Sequence, residues 1–145
     1  MHEPVAYVLA GVFTALAALH FYWAVRGVAG GGVALPTRSS GKPLFLPSRA
    51  TTMSVVFALL AAAVVVLGRA QLLPPNNIPF LLFVVGAWTL GLVFAARAIG
   101  EFQYVGLFKR ERSTGFARAD TRYFTPLCIV IAIGVFYLAA APVAP

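Results

Sequence analysis

The chain has 145 residues, of which 61% are hydrophobic and only 10% are charged. This composition lies far from that of soluble globular proteins and is typical of integral membrane proteins. The net charge of +7 does not indicate nucleic-acid binding, because the basic residues lie between long apolar runs instead of on one face of a soluble domain.

Four apolar runs are each long enough to cross the hydrocarbon core of a bilayer, which takes about 20 helical residues. They predict a single transmembrane domain over residues 1–145, with helices over 4–26, 50–68, 79–100 and 124–141. The hydrophobicity of these runs is continuous and does not alternate, which excludes a β-barrel. We therefore predict an all-α fold, an integral membrane four-helix bundle with two cytoplasmic loops.

Residues at the ends of these runs predict where the helices begin. Pro4, Pro79 and Pro126 lie where a helix start tolerates the missing N–H of proline, and Ser48 and Thr125 are expected N-caps. The leader MHEP contains no Lys or Arg, so we interpret the first run as a retained span and not as a cleaved signal peptide.

Small residues at a spacing of four predict close helix packing. Ala87, Gly91 and Ala95 follow this spacing in the third run, and Ala58 and Ala62 follow it in the second. Such faces serve contacts within a chain and contacts between copies alike, so they leave a homo-oligomer open.

The basic residues predict the orientation in the membrane. Of the eleven Lys and Arg residues, ten lie in or beside the first and third connections, and only Arg69 lies on the other side. By the positive-inside rule, both long loops are expected in the cytoplasm and both termini outside, in a multi-pass protein of the bacterial inner (plasma) membrane.

The segment KRERSTGFARADTRY, residues 109–123, carries a concentration of charge in which acids alternate with cations. We expect residues 109–112 to anchor the third connection at the cytoplasmic face, where anionic headgroups attract basic side chains. Residues 116–123 are expected to return toward the polar ends of the first and third helices, bringing Asp120 and Arg122 with them.

Polar side chains near the membrane gather at the predicted cytoplasmic end. Burying such groups in a bilayer is unfavourable in free energy, which makes them functional candidates. The candidate ligand-binding residues are His20, Arg97, Glu101, Asp120 and Arg122. The same charged groups would also suit a purely structural ion-pair network, so both interpretations stay open.

Spacing suggests partners for two of these candidates. Arg97 and Glu101 are spaced i,i+4 and would pair if the helix continued through Gly100. Asp120 would accept hydrogen bonds from the neighbouring Arg118, from Arg122 or from an arginine on another segment.

No metal or cofactor is expected. His2 and His20 would lie about 27 Å apart along a helix, too far to bind one haem together. Cys128 belongs to no ligand motif and is expected to pack as a small buried thiol. Phosphate-binding and nucleophile-elbow motifs are also missing from the sequence.

Three blocks of sequence carry a resemblance to a known family: HFYW with the following Gly-rich stretch and Pro36-Thr37, then GEFQYVGLFKR, then TGFARADTRYFTPLC. In these blocks the chain resembles the bacterial domain-of-unknown-function family numbered 3995, small four-helix membrane proteins whose biochemical role is not established. The resemblance implies that fold and implies no reaction. It also implies a shared pattern of residues, namely His20, Trp23, Phe108, Lys109, Thr114, Phe116, Ala117, Asp120, Thr121, Pro126 and Leu127.

Three classes of function stay open. The favoured hypothesis is that the candidate residues form a cytoplasm-facing polar pocket that binds a lipid headgroup or another small amphiphile, with membrane lipid as the partner. The second is a membrane-embedded enzyme in which His20 or Glu101 transfers a proton. The third is an accessory subunit of a larger membrane complex.

Overall fold

The computed structural model describes residues 2–27, 34–38, 40, 42–74 and 77–142. These residues form five α-helices: α1 (Glu3–Arg26), α2 (Arg49–Arg69), α3 (Phe80–Ile99), α4 (Gly115–Ala119) and α5 (Thr125–Ala140). One π-helical turn, Asp120–Phe124, joins α4 to α5, so that Gly115–Ala140 is a single span. The prediction of four apolar spans in an all-α membrane bundle is confirmed for this part of the chain.

The four spans run up and down, so each end of the bundle gathers helix ends that are distant in sequence. At one end the His2 ring lies 5.3 Å from the ring of Tyr137, which brings the start of α1 to the end of α5. The other end holds the end of α1, the start of α2, the end of α3 and the π-helical turn. We call it the Asp120 end.

The core of the bundle is apolar, and so is its outer surface. Phe13 and Val135 are fully buried at the centre. Leu81, Leu92 and Ile133 point outward and are each more than half exposed. A surface of this kind would cause aggregation in water, whereas in a bilayer it contacts lipid.

Small residues allow close packing at three of the positions that the sequence predicts. A Cβ added to Gly91 would lie 2.5 Å from the ring of Phe136, so α3 and α5 touch at a position that only glycine fits without a shift. Ala87 is fully buried on α3 and Ala62 is buried on α2, whereas Ala58 faces outward.

The fourth span begins earlier than predicted, and the assignment of Thr125 as its N-cap is wrong. The helix starts at Gly115, and the cap is Thr114, whose hydroxyl accepts the backbone N–H of Ala117 at 3.0 Å. In the π-helical turn the N–H of Thr125 donates to the carbonyl of Asp120, five residues back. This extra residue per turn lets the helix pass through Pro126 without a break.

The other helix starts agree with the local signals. Ser48 caps α2, because its hydroxyl accepts the N–H of Thr51 at 3.1 Å. In the first connection, Thr37 and Pro43 form an isolated antiparallel bridge, and the Arg38 N–H donates to the Lys42 carbonyl at 2.9 Å. The Gly-rich stretch 28–33 lies outside the described residues.

Candidate functional site

A buried carboxylate organises the Asp120 end. Asp120 is fully buried. Its Oδ1 accepts from Arg97 Nη2 at 2.8 Å, and its Oδ2 accepts from Lys109 Nζ at 2.9 Å. The backbone N–H of Gly106 and the hydroxyl of Thr125 also donate to Oδ2, at 2.9 and 3.0 Å. We call these five residues the Asp120 cluster.

Two glycines shape the loop that supplies Gly106 and Lys109 to this cluster. Gly100 and Gly106 both have a positive φ, of 84° and 89°, which L side chains rarely adopt. The two backbones also touch, since a Cβ on Gly106 would lie 2.5 Å from the Gly100 Cα. The Leu107 N–H then donates to the Ala98 carbonyl at 2.8 Å, which ties the loop back onto the end of α3.

Arg97 does not pair with Glu101, which corrects the expectation from their spacing. The helix α3 ends two residues before Glu101. The Glu101 carboxylate instead accepts the backbone N–H groups of Gln103 and Tyr104, at 3.2 and 2.5 Å. The partner of Arg97 is Asp120, so the alternative of an arginine on another segment is the correct one for that carboxylate.

Lys109 is not part of a surface anchor, and the interpretation of residues 109–112 is wrong at this position. Its side chain is only 3% exposed, and its Nζ donates to Asp120 and to the Gly106 carbonyl at 3.1 Å. The exposed cations of this region are Arg110, Arg112, Arg118 and Arg122.

A cavity of about 320 Å³ adjoins the cluster between the four spans. Most of its lining is apolar or aromatic, and Arg97 and His20 contribute polar atoms. The apolar members come from every span and include Leu16, Leu59, Phe94, Phe124 and Leu127. We call it the His20 cavity.

The hydrogen bond of His20 fixes its tautomer. Its Nδ1 lies 2.8 Å from the carbonyl oxygen of Leu16, and a carbonyl only accepts, so Nδ1 carries the proton. In the neutral ring Nε2 is then the acceptor. Trp23 packs edge-on against the imidazole, with ring centroids 5.1 Å apart.

Arg97 belongs to both the Asp120 cluster and the wall of the His20 cavity. Its Nη2 is bound to Asp120. Its Nη1 is buried and has no hydrogen-bond partner among the described residues. The guanidinium therefore has one nitrogen bound to Asp120 and one buried nitrogen without a partner among the described residues.

The five residues predicted as a ligand site do not line one pocket. His20 and Arg97 line the His20 cavity, and Asp120 is bound to Arg97. Glu101 lines a separate surface pocket of about 480 Å³. Arg122 is exposed and lies over the ring of the next residue, 5.4 Å from its centroid.

Residues 13–135 match the family described as a protein of unknown function (DUF3995). The chain belongs to the DUF3995 family. No curated protein and no solved structure matches it. The matched range contains every residue of the Asp120 cluster and of the His20 cavity, so both features lie within the DUF3995 domain.

Sequence reasoning on this DUF3995 chain missed three members of the cluster. No sequence pattern indicated that the backbone N–H of Gly106 would bind Asp120. Thr125 was interpreted as an N-cap, although its hydroxyl binds Asp120. Lys109 stands with Asp120 in the pattern implied by the resemblance, but a shared pattern does not say which residues touch. No group of three His, Cys, Asp or Glu side chains that would hold a metal occurs among the described residues.

The opposite end of this DUF3995 bundle also buries a cation. Arg69 is only 6% exposed, and its Nη2 donates to the Ala139 carbonyl at 3.2 Å and to the Ala141 carbonyl. These carbonyls end α5 and lack helical partners, so Arg69 caps that helix. The aromatic ring of Phe80 lies 5.6 Å from the guanidinium.

Proposed function

We propose that this DUF3995 protein binds a small amphiphile in the His20 cavity. The observation that supports the proposal is the chemistry of the lining: apolar side chains from all four spans, with His20 and Arg97 as polar groups. Ligand sites in proteins have this character, mostly apolar with a few polar groups that fix the orientation. A molecule with an apolar body and one polar group matches it.

The charge distribution supports a cytoplasmic location for this site. Ten of the eleven Lys and Arg residues lie at the Asp120 end or in the connections beside it. By the positive-inside rule, we propose that the Asp120 end lies at the cytoplasmic face of the bacterial inner membrane, with both termini outside. Arg110, Arg112 and Arg118 are exposed there and would attract anionic lipid toward the cavity.

Cys128 provides a direct reporter of occupancy, because it is the only cysteine of the chain and lines the cavity. We expect the gently purified protein to carry a bound amphiphile, detected by native mass spectrometry. We also expect removal of that molecule to speed the reaction of Cys128 with a maleimide.

A cavity-filling variant and a matched control test whether the amphiphile binds in the His20 cavity. Leu127→Trp places an indole in the cavity wall, whereas Ile133→Trp places one on the lipid-facing side of the same helix. The first should lose the bound amphiphile and the second should keep it, with both folded by thermal unfolding. Equal retention by the two variants would remove the proposal.

The fixed tautomer of His20 favours a second candidate, a membrane-embedded enzyme that uses Nε2 as a general base. Glu101 does not line this cavity, so His20 alone would carry the proton transfer. Incubation of wild type and His20→Gln with the co-purified molecule distinguishes the candidates. A product formed only by wild type supports catalysis, and an unchanged mass with wild type rejects it.

A further inference from the structure

The charges at the Asp120 end do not balance. The cluster contains the cations Arg97 and Lys109 and the single anion Asp120, which leaves one positive charge in excess. Both of its ion pairs join at the same fully buried carboxylate. An uncompensated charge at such a place is unfavourable, so a counter-charge would stabilise this end of the bundle.

No other acid among the described residues forms an ion pair with these cations. The protein contains four Asp and Glu residues in total. Glu3 lies at the other end of the bundle, in the first turn of α1. The Glu101 carboxylate binds backbone N–H groups of its own loop. The Glu111 carboxylate binds the hydroxyl and N–H of Ser113, which hold its pKa below the usual range.

Of the two cations, Arg97 is the one that a ligand can reach. Lys109 is only 3% exposed and is committed to Asp120 and a carbonyl. Arg97 lines the His20 cavity and has the unpartnered Nη1. A guanidinium N–H binds carboxylate and phosphate oxygens with short, charge-assisted hydrogen bonds. The excess charge is therefore accessible where the Arg97 side chain, which is 34% exposed, lines the cavity.

The size of the cavity limits the apolar part of the ligand. Its volume is about 320 Å³. At about 30 Å³ for a water-sized group, close to the size of a methylene, it holds roughly ten such groups. One alkyl chain fits this space, and the remainder of a longer chain would lie in the bilayer. A single chain therefore fills the cavity, whereas the second chain of a phospholipid would have to stay in the bilayer.

We infer that the His20 cavity selects a single-chain amphiphile with one anionic oxygen headgroup, a fatty carboxylate or an alkyl phosphate, held by the guanidinium of Arg97. The inference rests on the proposed function, because it names the class of amphiphile that the same cavity binds. Lys109 sets the preference for an anion without touching the ligand, since it occupies the shared carboxylate and leaves Arg97 in excess.

The test compares probes with the same chain and different headgroups. Full-length protein in phosphatidylcholine nanodiscs is titrated with dodecanoate, dodecyl phosphate, dodecanol and dodecyltrimethylammonium, and protection of Cys128 from a maleimide is measured. At least one anion should protect at concentrations about tenfold or more below those of dodecanol, as expected for a charged hydrogen bond. The cation should protect least, and the better anion identifies carboxylate or phosphate as the source.

A variant outside the cavity lining changes the charge of the Asp120 cluster without changing a residue of the cavity wall. In Lys109→Met the remaining Arg97–Asp120 pair is neutral, so the gap between the anions and dodecanol should close. Measuring wild type and variant in identical nanodiscs removes differences in how the probes partition. Arg97→Gln should close the gap in the same way.

The probes separate three properties of the cavity: its preference for an anion, its preference for a single chain and its binding of amphiphiles in general. Protection by dodecanol as strong as that by the anions would overturn the anion preference and leave amphiphile binding intact. Protection by phosphatidylglycerol as strong as that by dodecanoate would overturn the limit to one chain. If no probe protects Cys128, the proposed function fails together with the inference. The comparison on wild type is decisive even where a variant folds poorly.

Discussion

Replacing Asp120 with asparagine should strongly destabilise the protein. In wild type the carboxylate is the only anion beside two cations and accepts four hydrogen bonds. Asparagine keeps one oxygen acceptor and turns an NH₂ group toward the donors. Asp120→Asn therefore leaves Arg97 and Lys109 without a counter-charge at the most buried polar site of this end.

The burial of the partners sets the size of the effect. Removing one member of a buried ion pair costs about 3–5 kcal/mol. The Lys109 side chain is 3% exposed, so its full penalty applies, whereas the Arg97 side chain is 34% exposed and is partly screened by solvent. We expect a loss of about 3 kcal/mol. At roughly 2–4 °C per kcal/mol for a chain of this size, Tm falls by about 10 °C.

The assay is thermal unfolding in mild detergent, followed by the reaction of Cys128 with a maleimide that fluoresces on coupling. Cys128 suits this purpose because it is buried and is the only cysteine. A double variant provides the critical control. Lys109→Met alone should lower stability by about 1 kcal/mol, through the loss of its bond to Asp120.

The same Lys109→Met change should raise stability by about 1 kcal/mol in the Asp120→Asn background, because there it removes a buried cation that has no counter-charge. This reversal of sign would show that the effect of Lys109 on stability depends on the charge of Asp120. Equal effects of Lys109→Met in the two backgrounds would refute the reasoning, since independent sites add.

Two further predictions use the same unfolding assay. Arg69→Met should cost about 2 kcal/mol, because it removes charged hydrogen bonds to the carbonyls that end α5. The exposed Arg118→Met is its control and should change stability by less than about 0.5 kcal/mol; similar effects at both positions would contradict the capping role. Gly91→Ala should cost about 1 kcal/mol, because its Cβ would lie 2.5 Å from the ring of Phe136. Gly11→Ala has no atom within 4 Å of the added Cβ and should be neutral or stabilising, so a loss there as large as at Gly91 would reject the steric explanation.

The spans were predictable because their signal is local. Each span needs only a run of apolar residues, and α1, α2 and α3 begin and end within one residue of the positions predicted from such runs. The start of the fourth span was missed because Pro126 favours a helix start. The π-helical turn that lets the helix pass through it depends on the local backbone and is not visible in composition.

The candidate site was only partly predictable, because the partners of its charged groups are distant in sequence. Spacing favoured Glu101 as the partner of Arg97, but Gly100 ends the helix between them with a positive φ. A glycine at this position is itself a signal for a helix end. The true partner, Asp120, lies 23 residues further along the chain.

Burial of Lys109 was equally invisible, because a lysine in a basic run is usually solvated and only its contact with Asp120 explains the exception. Sequence can thus place polar groups at one end of a membrane bundle, but it does not say which of them are already satisfied by each other. Lys109 and Arg97 both pair with the carboxylate of Asp120, so the two cations share one anion. The position of Arg97 in the cavity wall, together with the one positive charge in excess, is why we propose binding in the His20 cavity.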